Sequence, residues 1–113
     1  MPFIKVNTNC KANQEQIETI KAHLGRAITA IPGKSEDWLM VEVADDRKLF
    51  FKGSDAPAAM VQVSLYGNAS SNALTTLTSH ITGILLDVLH IPTDRVYVSY
   101  MCTNDWGWNG SNF

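Results

Sequence analysis

The chain of 113 residues is poor in cysteine, in excess basic charge and in long apolar runs, and each shortage removes a class of protein. Its two cysteines, Cys10 and Cys102, are far apart and fit neither a CxxC nor a zinc spacing. They predict two free thiols in place of a disulfide framework, and redox chemistry has little footing. Lysine and arginine number 9 against 11 aspartates and glutamates, a formal net charge of -2, and with a pI near 5.8 there is no basic footprint for nucleic acid. No window reaches the roughly 18 apolar residues that a membrane span requires, and the N-terminus has neither the charged nor the apolar region of a secretion signal. A soluble cytoplasmic protein is expected, with no nucleic acid and no membrane as partner. His23, His80 and His90 form no metal set, so no metal is called for, and no serine-histidine-acid array is readable. Low-complexity segments and linkers are also missing. A hydrophobic content of 45% then fits one domain over residues 1–113.

What the chain does contain is an internal duplication. Ile17, Leu24, Ile28, Ile31 and Pro32 recur sixty residues later as Leu77, Ile84, Val88, Ile91 and Pro92. In the first copy Ile17, Ile20, Leu24, Ala27, Ile28 and Ile31 fall at three- and four-residue steps behind a capping-box pair, Asn13 and Gln16. The second copy repeats the spacing with Leu74, Leu77, Ile81, Ile84, Leu85 and Val88. Two amphipathic helices of equal length are predicted, each stopped by Ile-Pro. Strand-like segments flank them at Phe3 to Asn7, Trp38 to Val43, Ala59 to Tyr66 and Arg95 to Met101. The expected fold is α+β: two βαβ units forming a four-stranded mixed sheet, with right-handed crossovers placing both helices on one face. Ala44 to Arg47 and Lys52 to Asp55 read as turns, and Leu49 to Phe51 as a short strand between them. One helix layer covers one sheet face only, so oligomerisation is expected to cover the other.

The candidate for chemistry is Pro2, behind Met1 and ahead of the apolar run Phe3-Ile4-Lys5-Val6. Aminopeptidases usually trim methionine from proline, leaving a secondary amine. An α-amino group has a reference pKa near 7.7 to 8.0, so burial beside another cation would make it a neutral base at pH 7. Lys34, in Gly33-Lys34-Ser35, invites a phosphate-loop reading that fails: the motif's first glycine would be Ile28, and the segment closes a helix instead of opening one.

Further motifs join these: Val6-Asn7-Thr8-Asn9, Gly53-Ser54 followed by Pro57, Asp94-Arg95-Val96-Tyr97, and the ending Gly107-Trp108-Asn109-Gly110-Ser111-Asn112-Phe113. From end to end, the chain resembles the macrophage migration inhibitory factor family of the tautomerase superfamily. The resemblance implies a homotrimer with short extra strands at the subunit edges and pockets between subunits. It implies a cofactor-free keto-enol tautomerase acting on an aryl 2-keto acid such as phenylpyruvate, an isomerase with Pro2 as general base. By the same resemblance Lys34 depresses the pKa of Pro2 and binds the substrate carboxylate, the backbone of Tyr66 contacts substrate, and Tyr97 comes from the neighbouring subunit. Trp38, Trp106, Trp108 and Phe113, with Phe3, would form the aromatic wall. Two departures stand out. Ser99 replaces an asparagine that contacts substrate, and Trp106 replaces a valine of the pocket wall. Ala58 and Val61 occupy the CxxC positions of some members, which removes that motif's thiol chemistry. The alternative implied by the family is a leaderless, secreted, cytokine-like protein that binds a receptor and keeps a vestigial pocket.

Overall fold

A computed structural model describes all 113 residues. The main elements are β1 (Pro2–Thr8), α1 (Gln14–Ala27), β2 (Met40–Ala44), β3 (Ala59–Tyr66), α2 (Ser71–Leu89), β4 (Val96–Thr103) and a terminal hairpin of β5 (Gly107–Trp108) and β6 (Ser111–Asn112). The four long strands form one sheet in the order β2-β1-β3-β4. β1 and β2 are parallel, as are β3 and β4, and each pair is bridged by its helix. The two units join through the antiparallel pair β1 and β3, in register from Pro2 opposite Leu65 to Thr8 opposite Ala59. This is the mixed sheet predicted from the duplication.

Side-chain alternation decides which face is covered. Ile4 and Val6 of β1 and Val61, Val63 and Leu65 of β3 are buried beneath Ile20, Leu24, Leu77, Ile81 and Leu85 of the helices, within one contiguous core. On the opposite face Met40, Glu42, Gln62, Tyr97, Ser99 and Met101 are exposed. The predicted capping box is present: Gln16 N–H donates to Asn13 Oδ1 at 2.8 Å and Asn13 N–H to Gln16 Oε1 at 2.9 Å. In α2, Ser70 Oγ accepts from Ala73 N–H at 3.1 Å.

Three local expectations are corrected. The helices are unequal, 14 residues in α1 against 19 in α2. Ile31 must be extended ahead of Pro32, so α1 tightens into a 3-10 turn over Ile28–Ala30; α2 instead runs on to a left-handed His90 (φ 57°). Trp38 does not open a strand: it closes a 3-10 turn, Glu36–Trp38, and β2 starts at Met40. Leu49 to Phe51 makes no strand either, only a single bridge from Phe51 to Ser54 around Lys52 and Gly53, both at positive φ.

The carbonyls of that loop are taken by side chains, not by a neighbouring strand. Asn9 Nδ2 shares its hydrogens among Leu49 O (3.1 Å), Asp55 O (3.0 Å) and Ala56 O (2.9 Å), while Asn9 Oδ1 accepts from Ala58 N–H at 2.9 Å. Arg95 donates to Pro57 O (2.8 Å), Phe51 O (3.2 Å), Ser54 O (3.1 Å) and Ala56 O (3.0 Å). An Asn9→Asp chain would point a carboxylate oxygen at three carbonyls. It should therefore lose more stability in urea unfolding than Asn9→Ala, by about 1–3 kcal/mol relative to the parent chain; equal losses would show that the donor group is not what holds the loop.

Candidate active site

The start of β1, the turn leading into β2 and the terminal hairpin enclose a cavity of about 370 Å³. Pro2, Phe3, Trp38, Trp106 and Trp108 line it, five of the side chains expected at the site. Proline is acceptable there because, at the first position of a strand, its missing N–H costs the ladder least. The hairpin turns through Asn109 (φ 53°) and Gly110 (φ 90°), the left-handed pair that matches strand twist. Phe113 N–H donates to Trp106 O at 3.0 Å and fixes the last residue beside the hairpin. The result is an aromatic arc: Trp38 meets Trp108 edge-on at 5.2 Å, Trp108 stacks with Phe113 at 6.4 Å, and Phe113 lies 5.2 Å from Tyr66.

Lys34 reaches the same end of the sheet. Gly33, at φ 81°, turns the chain after Pro32, and Lys34 N–H closes the turn on Ile31 O at 3.1 Å. The ammonium then donates to Tyr66 O at 2.7 Å and sits 5.8 Å from the centre of the Tyr66 ring. Tyr66 N–H donates to Met1 O at 3.1 Å, so the backbone on either side of the Met1-Pro2 bond is held next to the residue that anchors Lys34. The amine of Met1 is pushed below the ordinary 8.0, first by burial, then by the charge of Lys34 and by its hydrogen bond. Lys34 has three donors, and one is committed to Tyr66.

Tyr97 and Ser99 lie elsewhere. Pro2 is in register with Leu65, whose partner on β4 is Cys102, whereas Tyr97 pairs with Met60 near the opposite end of the sheet. At ~3.3 Å per residue and ~4.8 Å per strand, the two sites are about 20 Å apart in one chain. Tyr97 instead packs on Phe51 at 4.8 Å and borders a separate apolar cavity of about 200 Å³ with Phe50 and Met60. Two aromatic clusters thus stand at opposite ends of one sheet, with Ser99 between them along β4.

Sequence reasoning missed Asp37, Leu39 and Met40, which also line the N-terminal cavity. Reading Trp38 as the start of a strand hid them. Ser35-Glu36-Asp37, a small polar residue followed by two acids, was the signal for a helical turn at that point.

Two βαβ units fused back to back, with an aromatic pocket beside Pro2 at the start of β1, define the tautomerase class of α+β protein. The family model described as "Macrophage migration inhibitory factor (MIF)" matches residues 1–113. The chain is 31% identical over 115 residues to macrophage migration inhibitory factor of Meriones unguiculatus, covering 100% of this chain and 99% of that protein. It is 29% identical to the homolog of Trichuris trichiura, covering 100% of both. A crystal structure of Leishmania major MIF2 superposes with a TM-score of 0.93 at 32% identity, covering 100% of this chain and 97% of that one. The homologue from Prochlorococcus marinus, at 23% identity and TM-score 0.89 over 98% of each chain, shares the fold. This chain belongs to the macrophage migration inhibitory factor family.

The coupling of the amine to Lys34 is measurable. In Lys34→Gln the Met1 amine, followed by NMR titration, should rise part of the way back to its ordinary value and stop short of it, because burial, the larger cause, remains. An unmoved titration would mean that the two groups are not coupled.

Proposed function

We propose that the chain, once Met1 is removed, is a cofactor-free keto-enol tautomerase of aryl 2-keto acids such as phenylpyruvate. The observation that carries this reading is the placement of Lys34, tied to Tyr66 O at 2.7 Å and coupled to the first amine of the chain. Removal of Met1 converts the Pro2 nitrogen from an amide into a secondary amine. It also frees Tyr66 N–H, which now donates to Met1 O. The freed donor and the uncommitted protons of Lys34 would hold the substrate carboxylate. The Pro2 nitrogen would then take a proton from the carbon next to the keto group, and the electron pair would move onto the carbonyl oxygen. Returning the proton to that oxygen completes the enol, and the reverse path ketonises it. Trp38, Trp108 and Phe113 suit the aryl ring.

Tyr97 and Ser99 enter the same reading from a neighbouring copy. Within a chain Tyr97 stands about 20 Å and Ser99 about 14 Å from Pro2, on a sheet face where Tyr97 is 61% and Met101 62% exposed. A homotrimer that covers this face brings the two half-sites together. Trp106 narrows the pocket, and Ser99 offers a short hydroxyl to substrate.

Pro2→Gly, or a chain that keeps Met1, should lose about 10²–10⁴-fold in phenylpyruvate turnover; wild-type rates in both would end the proline mechanism. The base acts when neutral, so kcat/KM should fall as pH drops through the pKa of the freed Pro2 amine. In Lys34→Gln that acid limb should move to higher pH while KM rises. The shared pocket has its own test: inactive Pro2→Gly and inactive Tyr97→Ala chains, refolded together, should regain activity through mixed assemblies. No recovery would place each site within a single chain.

A further inference from the structure

The outer surface of the helix layer carries a second cavity, which the N-terminal site does not use. On α1 and the turn after it, His23, Arg26, Ala27 and Ala30 fall at steps of three, one and three residues, which places them on one helix face. On α2, Thr76, His80 and Ile84 are spaced by four. The two crossovers run the helices antiparallel, so these stripes face each other across a cleft of about 360 Å³. That volume lies in the range of small-ligand sites.

The chemistry of the cleft is one-sided. Its floor is apolar, with Ala27 and Ile84 each 8% exposed. Its ionisable groups are Arg26, His23 and His80, and no carboxylate lines it. Thr29 Oγ1 already donates to Arg26 O at 2.7 Å and Thr76 Oγ1 to Asn72 O at 3.0 Å. The donors left for a ligand are therefore the guanidinium and the imidazoles. A cation in the last turn of α1 complements the helix dipole, which accounts for Arg26 alone. It does not explain two histidines brought together from helices more than fifty residues apart. No third metal-ligating side chain joins them, so a metal ion is a poor occupant.

We propose that this cleft binds a small organic oxyanion, a phosphate or sulfate ester. Arg26, His23 and His80 hold the charged group, and Ala27, Ala30 and Ile84 receive the apolar part. A planar guanidinium supplies paired donors to such a group, and the floor gives an ester an advantage over the free ion.

Titration of the labelled full chain with phenyl phosphate, phenyl sulfate and inorganic phosphate, followed by amide NMR, tests this. Phenyl phosphate or phenyl sulfate should produce saturating shifts at residues 23–30 and 76–84, and inorganic phosphate should bind more weakly. Arg26→Gln combined with His80→Gln should weaken the ester about tenfold or more. Both residues are exposed, and an unliganded spectrum that overlays the parent's elsewhere confirms the fold. Shifts confined to Phe3 and Lys34, absence of saturation, or unchanged binding by the double variant would overturn the proposal. Inorganic phosphate binding as tightly as the esters would overturn the role given to the apolar floor.

Discussion

The antiparallel register of β1 against β3 is the constraint on which the rest of the molecule depends. β1 is a central strand, paired on both sides, and a proline is tolerable in such a strand only at its first position. The alternation of Pro2, Ile4, Val6 and Thr8 against Phe3, Lys5 and Asn7 selects the buried set. A slip of one residue would turn Lys5 into the core and Ile4 out of it. Core packing thereby fixes Pro2 at the sheet end and opposite Leu65. The next residue of β3, Tyr66, extends the same ladder to Met1 and at the same time accepts the ammonium of Lys34. The hydrophobic pattern of one strand therefore decides which groups meet at the N-terminus.

The duplication then explains why the two units carry different tasks. After its helix, each unit sends a cation across to backbone carbonyls beyond its own strands. In the second unit Arg95 spends four hydrogen bonds on Phe51, Ser54, Ala56 and Pro57 and holds the loop that precedes β3. In the first, Lys34 spends one on Tyr66. A guanidinium so engaged is structural, whereas an ammonium with donors to spare beside a lowered amine is free to act on a ligand. Neighbouring positions of the repeat thus carry a brace in one unit and, in the other, an ammonium with donors to spare.

Much of this was legible because the signals were local or periodic. The two helices, the four strands and the face they bury follow from residue spacing, and Asn13 with Gln16 marks the start of α1 where the capping bonds form. The duplicated pattern supplied the topology. What escaped was set by tertiary contact. Leu49 to Phe51 has strand-like composition, yet its carbonyls are claimed by Asn9 and Arg95, residues about forty positions away that no local pattern connects to it. The turn at Glu36–Trp38 was obscured by a tryptophan that suits a strand equally well, and its loss hid Asp37 and Met40 in the pocket wall. The pairing of His23 with His80 was hidden for a related reason: each reads as an ordinary helix residue until the antiparallel helices are laid side by side.

The terminal hairpin has no counterpart in the repeat, and the cause of the lowered amine gives it a purpose. Burial outweighs Lys34 in pushing the Met1 amine down. Met1 lines the cavity at that end together with Trp106 and Trp108 of the tail and Trp38. An ammonium is stabilised by water, so side chains that keep water away favour the neutral amine before any cation is considered. A bare pair of βαβ units would leave the terminal amine at the sheet end without the tryptophans of the tail. The added hairpin supplies one wall of the cavity at that end, where burial is the larger of the causes that hold the Met1 amine below its ordinary value.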